Sequence, residues 1–129
     1  MKMLSENFGV DKSTAVVNYG EFSVTIRQAY RTNKAYMKMM ERELDPVRRA
    51  FEAGKLGNDK AQQILVKIFA HTIVVDWTIK DDDGKKVPFS VEKCIEFLTE
   101  YPKLFDLIKE DAEDDKLFRS HPEEDEEKN

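Results

Sequence analysis

The densest run of potential ligands in the chain is Asp81-Asp82-Asp83-Gly84-Lys85-Lys86, and the first chemistry it suggests is calcium coordination. An EF-hand loop needs carboxylates at its first and twelfth places around a glycine at the sixth. With Gly84 at the sixth place, Ile79 falls at the first and Ser90 at the twelfth. Neither supplies a carboxylate, so the run reads as a solvated turn. His71 has no second His or Cys at ligand spacing, His121 belongs to the acidic end, and Cys94 is alone. No metal site or internal disulfide is expected within one chain. Ser90 stands where a helix cap belongs. No nucleophile motif, phosphate-cradling glycine loop or zinc-protease helix is present. The chain reads as a non-enzyme without a cofactor.

Two charged features need an account. If the helix around Leu65 and Phe69 runs on to Trp77, Asp76 falls on their side, opposite Lys67. A carboxylate there needs hydrogen-bond donors, because a buried unpaired charge is costly. Asp76 is therefore expected to be a structural acid, with Trp77 packed beside the 81–89 turn. The second feature is a basic stretch over residues 27–55: Arg27, Arg31, Lys34, Lys38, Arg42, Arg48, Arg49 and Lys55, with Tyr30 and Tyr36 among them. A nucleic-acid reader uses such a mixture. Glu41, Glu43, Asp45 and Glu52 dilute it, and helical ion pairs account for much of the pattern. A protein-binding face is the next reading. Arg31, Tyr36, Arg48, Arg49 and Phe51 are its candidate anchors, since arginines and aromatics are common at interfaces.

The elements that would position these residues are mostly helical. Residues 1–14 lack periodicity and read as an irregular arm. Phe22, Val24 and Ile26 alternate with polar neighbours, and a turn around Asn18-Tyr19-Gly20-Glu21 joins them to Val16-Val17, which predicts a small β-hairpin. Helix formers run from Asn33 to Leu44. Asp45-Pro46 then ends one helix and starts another, with Asp45 as cap, or kinks a continuous one. Asn58 or Asp59 is expected to cap the longest helix, which runs to about Trp77. Lys60, Gln63, Lys67 and His71 form its one wet stripe, so it is the core helix. Ser90 caps a helix whose Val91, Cys94, Ile95 and Leu98 share a face, and Phe89 is placed to staple onto Cys94. Tyr101-Pro102 starts the last helix, whose face includes Leu104, Phe105 and Ile108. The predicted fold is mainly α: a compact bundle of four to five helices with a small N-terminal β-hairpin, forming one domain over residues 1–119.

Of the 129 residues, 36% are charged and 40% hydrophobic, an ordinary soluble composition. No apolar run approaches the length of a membrane span, and the first residues do not form a secretory signal, so a cytosolic location is expected. Residues 110–129 hold ten acids and three bases, which leaves the rest near +2 within a net charge of −5. Residues 120–129 are expected to be an acidic disordered tail, with too little apolar surface to offset its ordering entropy.

Several segments, in this order and spacing, resemble the tail assembly chaperones of long-tailed, siphovirus-type bacteriophages. They are Phe8-Gly9-Val10-Asp11-Lys12, Tyr19-Gly20-Glu21-Phe22-Ser23-Val24, Pro46-Val47-Arg48-Arg49-Ala50, Val75-Asp76-Trp77 with Asp82-Asp83-Gly84-Lys85-Lys86-Val87-Pro88-Phe89-Ser90, and Leu117-Phe118-Arg119. The similarity spans roughly residues 7–119, and Thr78-Ile79-Lys80 departs from it. Asp76, Trp77, Gly84, Pro88, Phe89 and Ser90 are read as structural positions. The resemblance implies a protein of the infected or lysogenic bacterial cytoplasm, absent from the mature virion. Its partners would be the tape measure protein and tail tube protein, and also its own kind or a longer frameshifted form. Glu127-Lys128-Asn129 can be encoded by an A-rich run on which ribosomes slip. A membrane partner is not implied. The alternative function is a small regulatory nucleic-acid-binding protein using the 27–55 stretch.

Overall fold

Alternation of apolar and polar residues builds the N-terminal sheet. The computed structural model describes residues 10–11 and 13–120. Strand β2 (Ala15–Asn18) pairs antiparallel with β3 (Ser23–Ile26), with Ala15 opposite Ile26 and Asn18 opposite Ser23. Val24 and Ile26 are buried, the inward residues that the alternation requires. The Asn18 side chain accepts from the Gly20 N–H at 2.8 Å, and Gly20 takes φ +101°, which a residue with a Cβ rarely adopts.

The hairpin acquires a third strand that the sequence reading placed in a helix. Strand β4 (Val74–Trp77) runs antiparallel to β3, with Val24 opposite Trp77 and Thr25 opposite Asp76. The long helix stops at Thr72, five residues before the expected end at Trp77. The reason lies in residue type: Thr72-Ile73-Val74-Val75 is a β-branched run, which loses χ1 freedom in a helix and suits a pleated strand. The free edge of β3 supplies partners for its backbone.

The helices follow their apolar spacing more closely. Helix α1 (Lys34–Leu44) is capped by Asn33, whose side-chain oxygen accepts from the Tyr36 N–H at 3.1 Å. The Asn33 amide also donates to the carbonyls of Gln28 and Thr72, so it ties the start of α1 to the end of the core helix. Asp45–Val47 forms a 3-10 turn and α2 (Arg48–Glu52) is a single short helix. Leu44 and Asp45 both keep helical φ and ψ, so the chain bends at Pro46 without a clean break. Asp45 is not an N-cap; its carboxylate receives the Arg48 guanidinium. Helix α3 (Asn58–Thr72) begins after Gly57, with no side-chain cap. Asn58 and Asp59, the expected caps, lie inside its first turn, where Asp59 complements the helix dipole.

Helix α4 (Val91–Glu100) is capped by the Ser90 hydroxyl, which accepts from the Lys93 N–H at 3.1 Å. Helix α5 (Pro102–Glu113) follows directly, with proline in the first turn where its missing N–H costs least. A 3-10 turn (Asp115–Phe118) leads to β5 (Arg119–Ser120), which pairs with β1 (Val10–Asp11). The irregular-arm reading therefore fails at residues 10–11, and Ser120 belongs to a strand, not to the tail. The expected tail beyond it, residues 121–129, lies outside the described residues, as do residues 1–9.

The fold is mainly α, with four helices of ten residues or more and a small three-stranded antiparallel sheet. Its core joins the sheet to the helices: Ile26, Phe69, Ile73, Leu98, Phe105 and Phe118 are all nearly or fully inaccessible. Phe69 meets Phe105 edge-on, with ring centroids 5.3 Å apart. A second cluster of Met39, Leu44 and Ile68 seats α1 on α3.

Candidate protein-binding groove

Trp77 organises one side of the molecule. It is 3% exposed, stacks on Phe97 of α4 at 5.3 Å between ring centroids, and meets Phe89 edge-on at 4.9 Å. Its indole N–H donates to the Val87 carbonyl at 2.7 Å. These contacts hold a projecting hairpin, residues 79–87, against α4. Within it the Val87 N–H donates to the Ile79 carbonyl, and Lys80 bridges Lys86 across the ladder. The Asp81 carboxylate accepts from the N–H groups of Asp83 and Lys85, both at 2.9 Å, and Gly84 takes φ +80°. The aspartate run thus organises its own turn. Among the described residues, no cluster of three or more His, Cys, Asp or Glu side chains could hold a metal.

The tip of the first hairpin forms the facing wall. The Tyr19 hydroxyl donates to the Asp111 carboxylate at 2.7 Å, which ties that tip to α5. Burial first, and then the neighbouring carboxylate, raise the Tyr19 pKa far above its ordinary value, so the phenol stays a donor. Between the two walls lies an open groove of about 890 Å³. Phe22, Ile79, Val87, Phe97, Leu104 and Leu107 give it an apolar floor, and Tyr101 is also among its lining residues. Tyr101 is 53% exposed and Leu107 48%, large apolar groups left facing water. Lys80, Lys86, Lys93 and Lys103 stand at the rim with Asp81 and Asp82. Rings, methyl groups and amines in a shallow trough are suited to holding another surface. Cys94, fully buried on the core face of α4, has its thiol pKa pushed up to about 12 by that burial, which keeps it neutral.

The residues singled out from sequence divide between this side and another. Trp77 and Phe89 support the groove, Pro88 is exposed on its lining, and Gly84 and Ser90 shape the turn and cap beside it. Asp76 is not a buried acid beside Leu65 and Phe69. It lies exposed on β4 and accepts a hydrogen bond from the Trp77 N–H at 2.9 Å. None of Arg31, Tyr36, Arg48, Arg49 and Phe51 lines the groove. Arg31 lies over the neighbouring Tyr30 ring at 5.2 Å, and Arg48 pairs with Asp45 and Glu52. Phe51 and Arg49 are exposed on α2. Tyr36 turns inward, its ring edge-on to Phe69 at 6.0 Å, and burial raises its pKa, with Glu113 adding to the effect.

Sequence reading missed the groove because its residues come from four separate segments. One signal was available: Leu107 falls off the apolar face defined by Leu104, Phe105 and Ile108, an aliphatic residue with no place in that core.

Comparison with known proteins places the chain among proteins of phages and prophages. Residues 31–129 match the family model described as YdaY prophage protein, and the chain belongs to that family. No characterised protein and no solved structure matches it. Among the described residues, no helix is long and apolar enough to cross a membrane.

Proposed function

We propose that this prophage protein is a tail assembly chaperone: it binds the tape measure protein and tail tube subunits while a tail is built, and leaves before the virion is complete. The observation that carries the reading is the open apolar groove with Tyr101 and Leu107 exposed in it. A tape measure protein presents long apolar helix until the tube covers it, and a groove of this kind can receive one face of such a helix. A chaperone must also release its client. A shallow apolar floor with a charged rim favours a moderate, reversible interface over an obligate one. Membership of a prophage family and the resemblance to tail assembly chaperones both support the setting, the bacterial cytoplasm during phage development. In the same reading a minor frameshifted product carries an extension beyond residue 129.

The test is co-expression with the tape measure and tail tube proteins of the same prophage, followed by affinity capture. Capture of either, reduced by Leu107→Asp, is the expected result. A folded protein that captures neither refutes the chaperone reading.

A further inference from the structure

The rim of the groove carries more positive charge than the fold uses. Lys80 and Lys86 lie directly opposite each other across the hairpin ladder, both exposed and both lining the groove. Like charges in that position destabilise a hairpin. Neither forms an ion pair with any described residue, and neither does Lys103 at the start of α5. Lys93 is different: its ammonium is 3.3 Å from Glu96 and lies over the Phe97 ring. Of the two acids at the rim, Asp81 is engaged by its own turn.

The floor between these lysines has a direction. Lys93 and Phe97 on α4 and Tyr101, the residue that ends it, follow one another at i, i+4 and i+8, a stripe of about 12 Å. Leu104 and Leu107 continue the apolar surface on α5. That length matches roughly two turns of a docked helix.

We propose that the groove recognises an amphipathic helix whose apolar stripe is flanked by carboxylates, with the stripe on Phe97, Leu104 and Leu107 and the acids at Lys80, Lys86 and Lys103. This rests on the reading that the groove holds a partner helix, but not on which phage protein supplies it. The flanking acids remove the Lys80–Lys86 repulsion that the free protein carries. They also speed encounter and exclude basic or neutral helices of equal hydrophobicity. A small molecule would be poorly enclosed, because the groove is open to solvent.

The experiment uses the full chain and two synthetic peptides of about 18 residues, long enough to cover the stripe as a helix. Both carry leucines at i, i+3, i+4 and i+7; one is flanked by glutamates and the other by lysines. Binding is read by fluorescence anisotropy at low and high salt. The glutamate peptide is expected to bind about tenfold more tightly at low salt, the scale of a few screened ion pairs, and to lose most of that advantage at high salt. The triple variant Lys80→Glu, Lys86→Glu, Lys103→Glu is expected to reverse the order. Leu107→Asp, or Leu107→Ser should the charge disturb folding, is expected to weaken both peptides with an unchanged circular dichroism spectrum.

Equal affinities, or a preference for the lysine peptide, overturn the proposal. So does binding that appears only after residues 121–129 are removed, since the chain's own acidic end would then be the occupant. Displacement of the glutamate peptide by a single-stranded oligonucleotide also overturns it. Peptide discrimination without tape measure capture would refute the chaperone reading and leave this inference standing; capture without discrimination would do the reverse.

Discussion

Two faces of this protein gather positive charge, and they use it differently. On α1 and α2, Arg42 and Arg48 are engaged with neighbouring acids, and the exposed basic residues there line no apolar groove. Arg48 pairs with Asp45 and Glu52, Arg42 approaches Glu43, and Glu43 receives Lys67 from α3 at 2.9 Å. At the groove, Lys80, Lys86 and Lys103 have no ion-pair partner among the described residues and stand beside exposed Tyr101 and Leu107. In sequence the first face is conspicuous, because its arginines and lysines are consecutive neighbours on helices. The second is scattered. Density of charge along a chain marks a helix surface; charge left unpaired beside an apolar floor marks a place for a partner.

The largest expected effect tests whether the groove depends on the core behind it. Trp77→Ala removes two ring contacts and the bond to Val87, and is expected to cost about 3–5 kcal/mol in urea unfolding, the range for a large buried aromatic. It is also expected to abolish capture of partners at the groove. Retained groove binding in a folded Trp77→Ala protein would separate the two and break the comparison. Tyr19→Phe is a finer probe of the same wall. Losing a half-buried hydrogen bond to Asp111 is expected to cost about 1 kcal/mol, measured by the same unfolding curve.

The basic face is expected to respond less. Reversing Arg48 and Arg49 together breaks exposed ion pairs, so stability is expected to change by about 1 kcal/mol or less. Partner capture by this double variant, compared with Leu107→Asp, ranks the two faces. Greater loss from the arginine reversal would move the binding surface to α2 and Phe51. The smallest effect is a pH dependence. The hydrogen bond from Lys67 holds the Glu43 carboxyl below its ordinary range. Its folded pKa is depressed, so the contribution is present above the unfolded carboxylate value and is lost as pH falls through the folded one. Lys67→Gln is expected to flatten the acid side of the stability profile slightly, as thermal melts across that window would reveal.

Much of the fold was legible because helical spacing is a strong signal where burial enforces it. Cys94 and Leu98 lie in the core, Val91 and Ile95 pack against it, and Ser90 caps their helix. Lys60, Gln63, Lys67 and His71 form the exposed stripe of α3. Strand β4 was not legible in that way. Ile73, Val74 and Val75 continue an apolar run that suits either a helix or a strand, and what decides is the unpaired edge of β3, about fifty residues away in sequence. The error carried over to Asp76, which a helical phase turned inward and a strand leaves in water. The groove was hidden for the same reason: its walls meet only when the 79–87 hairpin, the tip at Tyr19 and the junction of α4 with α5 are brought together.

The pairing of β1 with β5 has a mechanical consequence. Val10 lies opposite Ser120 and Asp11 opposite Arg119, so the first and last described residues sit side by side on strands that run in opposite directions. Tension applied between Val10 and Ser120 therefore peels this ladder like a zipper: its backbone bonds carry load one after another and not together. Two residue pairs make a weak clasp under such a pull. It yields first and transfers the load to β2 on one side and to the buried Phe118 on the other. Tension applied at these two residues would thus open the clasp well before it reached Trp77 and the walls it supports.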